Sequence, residues 1–283
     1  YADALRTLAE AEGLGMLTKQ GGRRFDVEGL ETLDKKALLK DIQYGYVEDK
    51  PHGTTFTTVF KDDAWMSFIE RPEVRNRYLL AVSHVEGVSK IGVFKVSSSD
   101  KEDISKREVT LVAAHIDDEE LDLDVIAKRV KALSSFYGDC QVLILSDDVD
   151  SVYEILMDAD VENLWRMIRA GMGKTKRRLG WSYSDDLTAP IKEISRRIRE
   201  ELVDIYDPDA RSQLAQFMRT HKGNMAAVGH SDDWVKLIAV AVQCIESSEE
   251  YRPASARRNP YGSYGYNQPY NHNSTANVKR NTL

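Results

Sequence analysis

The chain has only two cysteines, Cys140 and Cys244, in 283 residues, and both sit inside apolar segments. So few thiols in such surroundings exclude a disulfide framework and a cysteine-based metal knuckle; they fit buried core thiols in a reducing compartment. No apolar run reaches the roughly 18 residues that would suggest a membrane span. The N-terminus also lacks the basic-then-apolar order of a signal peptide, so nothing in the sequence points to a membrane or to export. Acidic residues are missing from 252 to 283, a stretch that holds Arg252, Arg257, Arg258, Lys279 and Arg280. The formal charge of -7 therefore divides into -12 on the body and +5 on the tail, an asymmetry more informative than the sum.

A complete phosphate-binding loop is lacking too. Gly171-Met172-Gly173-Lys174-Thr175 looks like the end of one, but Ile168 stands where the first glycine is required, and Lys176-Arg177-Arg178 follows in place of an apolar helix. No ATP site is expected there, and residues 1–76 show no strand-loop-helix of that kind. Asp117-Asp118-Glu119-Glu120, with Asp122 and Asp124, lacks the glycine and the distal Glu of a calcium loop. It reads as a solvated helix start, where acids suit the dipole. His52, His115, His221 and His272 show no ligand spacing.

What is present is enough apolar residue, 42%, to bury one sizeable core. Residues 1–53 read as a small helical unit: a short helix at Leu5, Leu8 and Ala9, a turn at Gly21-Gly22, and a second helix through Leu30, Leu33, Ala37, Leu38 and Ile42. Pro51 and Gly53 punctuate the chain, and a main domain is expected over 54–250. The β-type run from Thr54 opens it. Arg77 to Val85 and Lys90 to Val96 predict strands joined by a short turn at Glu86 to Ser89, followed by a third strand from Arg107 to His115. A helix from Leu121 to Phe136 ends at Gly138, and Gln141 to Leu145 is a short apolar strand of the kind buried in a parallel sheet. Helices are expected over Thr188 to Leu202 and Asp207 to Arg219, with short strands at Leu202 to Tyr206 and Gly223 to Val228. Asp232 to Ile245 reads as an apolar, buried helix. From 251 to 283 the composition of Tyr, Asn, Ser, Pro and Arg is that of a disordered basic tail; its tyrosines, Tyr251, Tyr261, Tyr264, Tyr266 and Tyr270, could stack on single-stranded nucleic acid or dock on a partner. Because the chain starts at Tyr1, a fragment or processed product is expected.

Gly229-His230-Ser231-Asp232-Asp233-Trp234-Val235 carries the most specific signal. Acids in the first turn of an apolar helix are favoured by its dipole and can cap its amides; at the buried end of such a helix they also call for a cation. With Tyr78 to Val82, Gln141 to Leu145, Ala189-Pro190 to Ile194 and Asp207-Pro208-Asp209 in this order, the segment Arg77 to Ile245 resembles the nuclease domain of the large terminase subunit of tailed phages. That resemblance implies an α/β, RNase H-like mixed sheet flanked by helices, and metal-dependent endonucleolytic cleavage of double-stranded viral DNA during genome packaging, with Mg2+ or Mn2+ held between acids. It implies viral DNA, the portal protein and the small terminase subunit as partners, an ATPase domain upstream or on another chain, and the host cytoplasm as the place of action.

Two acids of the family pattern are replaced. The first strand has Ser83-His84 where an Asp is expected, and the central strand ends in Leu145-Ser146 where a Glu is expected. Three readings stay open at this point. A rearranged site would use Asp232 and Asp233 with Asp147 or Asp148 as metal ligands and His84 nearby. A degenerate nuclease fold would handle DNA or dock the motor without cutting. An unrelated α/β domain would share the pattern by chance. The basic run Arg166, Arg169, Lys174, Lys176, Arg177 and Arg178 is expected to form a loop lying along a DNA backbone.

Overall fold

In the computed structural model, the described residues are 24–247 without 51–52, 74–75, 98–105, 117–119, 162, 166, 172–173, 220–224 and 228–231. The expected helix at Leu5 to Ala9, the turn at Gly21-Gly22, the tail and Gly229 to Ser231 lie outside them. Helix α1 (Val27–Ala37) starts at Asp26, whose carboxylate accepts from the Gly29 amide at 2.8 Å. Its Leu30, Leu33 and Ala37 are buried, but Leu38 and Leu39 are 87% and 86% exposed, so the helix stops short of the expected Ile42. β1 (Gln43–Lys50) follows, paired antiparallel with β2 (Gly53–Thr58) and with β3 (Met66–Phe68). The boundary expected at 53 thus falls between two paired strands of one sheet. Gly53 opens the second of these paired strands, and β1 belongs to the main sheet.

Strands β4 (Arg77–Val85) and β5 (Val88–Val96) form a hairpin through Glu86 and Gly87. Both turn residues have positive φ, 51° and 84°, the backbone of a two-residue turn whose twist matches its strands. β6 (Val109–His115) adds on the other side of β5. Helix α2 (Leu123–Phe136) crosses to β7 (Gln141–Ser146), which lies parallel to β4. Helix α3 (Val149–Asp158), not foreseen from the sequence, comes next. The basic run forms an antiparallel hairpin rather than a loop, β8 (Met167–Gly171) with β9 (Lys174–Arg178), the register setting Arg169 opposite Lys176. Then come β10 (Trp181–Ser182) beside β7, α4 (Thr188–Arg199), β11 (Val203–Ile205) beside β6, α5 (Pro208–Gln216), β12 (Phe217–Arg219) paired with β13 (Met225–Ala227), and α6 (Asp233–Ser247).

The main sheet has nine strands in the order β10-β7-β4-β5-β6-β3-β1-β2, with β11 also on β6. Alternation along each strand divides the core in two. Leu79, Ala81, Leu143, Leu145, Phe94 and Leu111 face α6 and α4. Tyr78, Leu80, Val82, Val142 and Ile144 face α2 and α3. Helix α6 buries Trp234, Leu237, Ile238, Val242 and Ile245 against the sheet, each such side chain contributing roughly 2 kcal/mol of apolar burial as an upper bound. Gly92 makes that approach possible: a Cβ there would lie 3.2 Å from the Trp234 ring, 3.1 Å from Leu111 and 3.1 Å from Phe94. Cys140 and Cys244 are buried thiols outside any disulfide, the state expected of them. No helix among the described residues is long and apolar enough to cross a membrane.

Candidate functional site at the end of the parallel strands

Trp234, seated over Gly92, brings the start of α6 down onto the C-terminal ends of β4, β7 and β10, which run parallel. The register across them is Ser83 opposite Leu145 and Leu145 opposite Trp181. These three share the α6 face, so this row meets the acids at the start of α6. The next row, His84, Ser146 and Ser182, belongs to the opposite face. Of the two residues ending the central strand, therefore, the α6 face receives Leu145, which is fully buried. The Ser146 hydroxyl is spent on the backbone of β4, donating to the His84 carbonyl at 2.8 Å and accepting from the Asp148 amide at 3.1 Å.

Asp232 and Asp233 are half-buried. The Asp232 carboxylate pairs with the Lys236 ammonium at 2.8 Å, one helical turn further on. Asp233 accepts a hydrogen bond from the Tyr183 hydroxyl. Lys236 also lies over the Tyr183 ring, 4.3 Å from its centre, a favourable cation–π placement. Burial, then the charge on Asp233, push the Tyr183 hydroxyl up, so it stays protonated and donating. The Trp234 amide donates to Gln213 of α5, at 2.9 Å. Tyr183, Lys236 and Gln213 were not foreseen. Only Lys236 had a signal, its i+4 spacing from Asp232.

The other candidates stand elsewhere. Asp147 and Asp148 follow β7 with exposed side chains. Asp148 caps α3, accepting from the Ser151 amide at 3.2 Å and its hydroxyl at 2.7 Å, and these bonds hold its carboxyl below the usual range. His84 lies on the α2 side, its Nδ1 2.8 Å from the Ser89 hydroxyl, and burial lowers its pKa. His84 therefore does not share the α6 face with Asp232 and Asp233, and the Asp148 carboxylate is engaged at the start of α3. Of the basic set, Arg169, Lys174, Lys176, Arg177 and Arg178 lie on the β8–β9 hairpin; Arg166 lies outside the described residues.

A mixed sheet with a three-stranded meander, a crossover helix, a parallel central strand and a buried last helix is the α/β arrangement of an RNase H-like fold. The chain is similar to the large terminase nuclease of the thermophilic phage G20c with bound magnesium, at 16% identity, a TM-score of 0.50, and coverage of 78% of this chain and 97% of that one. Another structure of the G20c nuclease matches at 20% identity over 64% of this chain and 88% of that one, TM-score 0.44. The nuclease domain of Thermus phage P74-26 large terminase matches at 18% identity over 64% and 86%, TM-score 0.43. No family model matches the chain, and no curated protein matches it in sequence. The fold is thus that of a large-terminase nuclease domain.

The donor set does not fit the divalent ions that this fold implies. A hard dication takes six or more oxygen ligands, several of them carboxylate. Here the carboxylates come from one helix turn, and the facing strands offer a serine hydroxyl and a leucine. Among the described residues, no three His, Cys, Asp or Glu side chains gather in a way that could hold a metal ion.

Proposed function

We propose that this chain is a large-terminase nuclease-fold module that holds double-stranded viral DNA during genome packaging without cutting it. The observation that carries this reading is the row Ser83–Leu145–Trp181, which puts no carboxylate opposite Asp232 and Asp233. Metal-assisted hydrolysis needs an ion to generate the hydroxide and to stabilise the leaving oxygen, with ligands converging from several elements. Two acids on one helix turn, one of them ion-paired and the other hydrogen-bonded, do not supply that.

DNA would be held by the β8–β9 hairpin. Arg169, Lys174, Lys176, Arg177 and Arg178 crowd cations into one short ribbon of an acidic body, with Arg166 just before it in sequence, and phosphate contacts from such residues give affinity without sequence preference. In this reading the partners are DNA, a packaging ATPase domain, the portal protein and the small terminase subunit, in the host cytoplasm, and Mg2+ or Mn2+ is not needed.

The test is a plasmid assay in magnesium and in manganese beside gel retardation in EDTA. Retarded DNA with intact plasmid under both metals is the expected result, with retardation lost when the six basic residues become Gln. Plasmid cutting that disappears in Asp232→Asn with Asp233→Asn would instead establish the nuclease and overturn the proposal.

A further inference from the structure

We infer that Lys236 is a resident cation that takes the part of a divalent ion at the Asp232–Asp233 pair, so that this chain neutralises its last acidic motif from within. The inference rests on the non-cutting reading, since it explains how a nuclease fold keeps its terminal acids after losing their partners.

Adjacent carboxylates that are half-buried repel each other and are costly to desolvate unless a cation is present. The Lys236 ammonium is placed for that task by its own helix: i+4 spacing puts it one turn above Asp232, with the acid on the N-terminal side, the favourable order. The charge is held between a carboxylate at 2.8 Å and a ring face at 4.3 Å. Asp233 accepts from the Tyr183 hydroxyl, on the ring that faces Lys236. Ser83 stands on the α6 face of β4, where a carboxylate would add a third acid to the pair. A dication entering would have to displace the ammonium from Asp232, at a site with too few described oxygens to replace the ion's hydration shell.

This account makes metal binding recoverable by substitution. The full chain is titrated with Mn2+ and free ion is followed by electron paramagnetic resonance, with thermal unfolding in Mn2+ as a second readout. Wild type is expected to show no saturable binding that depends on Asp232. Lys236→Gln is expected to bind Mn2+ roughly tenfold more tightly than wild type, and Lys236→Gln with Ser83→Asp more tightly again, in line with one opposing charge removed and one ligand gained. Asp232→Asn added to either variant should abolish the gain. A wild-type site that binds one Mn2+ and loses it in Asp232→Asn overturns the inference. So does a Lys236→Gln chain that unfolds cooperatively like wild type yet binds Mn2+ no better; if the double variant does not fold, the single one decides. DNA retention is measured in EDTA, so failure of the DNA-holding proposal and failure of this one are read separately.

Discussion

Arg197 is the residue on which the α4 side of the core depends most. Its side chain is wholly buried, pairs with Glu193 one turn back at 2.7 Å, and donates to the Arg107 carbonyl at 2.6 Å. A buried guanidinium is tolerated only while its partners stay in place. Removing one of them by Glu193→Ala is expected to cost about 3 kcal/mol of stability, measured as a shift in the urea midpoint, whereas Glu200→Ala, which frees only the exposed flank of Arg196, should stay within about 0.5 kcal/mol. The same pair sets a pH dependence. Burial works to raise the Glu193 pKa, but hydrogen bonds and charge from Arg196 and Arg197 outweigh it and leave the carboxyl lowered. A carboxyl depressed by folding adds stability that is complete above its ordinary unfolded value and is lost as pH falls through the depressed one. Acid unfolding of the wild type should therefore steepen below the ordinary glutamate range. In Glu193→Gln that component should be absent, and parallel acid titrations of the two chains would contradict this assignment.

At the scale of elements, the two-residue strand β10 decides where Tyr183 goes, and Gly180 decides where β10 goes. A Cβ on Gly180 would stand 2.7 Å from the Ile144 carbonyl oxygen, a backbone atom that cannot swing aside. Gly180→Ala is expected to push β10 off β7, to cost about 1–3 kcal/mol, and to free the Tyr183 hydroxyl from Asp233, visible as a fall in its phenol pKa by ultraviolet titration; an unchanged phenol titration in the folded variant would show that Tyr183 is positioned without β10. None of this could be read from the chain, because a pair of residues has no period. The elements that were legible are those with strong apolar patterns: β4 to β7, α2, α4 and α6 stand close to where hydrophobic spacing put them. The misses have a common cause. The β8–β9 ribbon carries Lys and Arg at five of its ten strand positions, without a regular apolar alternation, so it read as a loop. Pro51 and Gly53, between two strands that pair, read as a domain boundary because turn-forming residues look the same in both settings. At the site, the sequence showed which acids were missing, but only the register showed that Leu145, not Ser146, fills the face beneath Asp232 and Asp233. A shift of one residue along a strand reverses the direction of the side chain.

For the whole molecule, charge placement makes the sharpest claim. A body of -12 and a tail of +5 sum to the net -7 of the chain, a balance that opposes DNA binding except where cations are concentrated. The β8–β9 hairpin is one such place and the 252–283 tail the other. They differ in what each can do for a duplex: a paired ribbon presents its cations in a fixed register, while the tail spreads five over a long, acid-free stretch. Each phosphate neutralised releases a counterion, so affinity falls with salt in proportion to the number of contacts, with a slope of about -0.9 per contact for duplex DNA. If the hairpin supplies the binding, a plot of log affinity against log salt should slope at about -4.5 for five contacts. Replacing Arg169 and Lys176, opposite each other in the ribbon, by Gln should flatten that slope by about 2 and weaken binding alike for every duplex sequence. Deleting residues 252–283 should change it by less. The reverse ranking, a slope insensitive to Arg169 and Lys176 but collapsed by the deletion, would move the DNA contact from the folded body to the tail and leave the hairpin as a docking element for a protein partner.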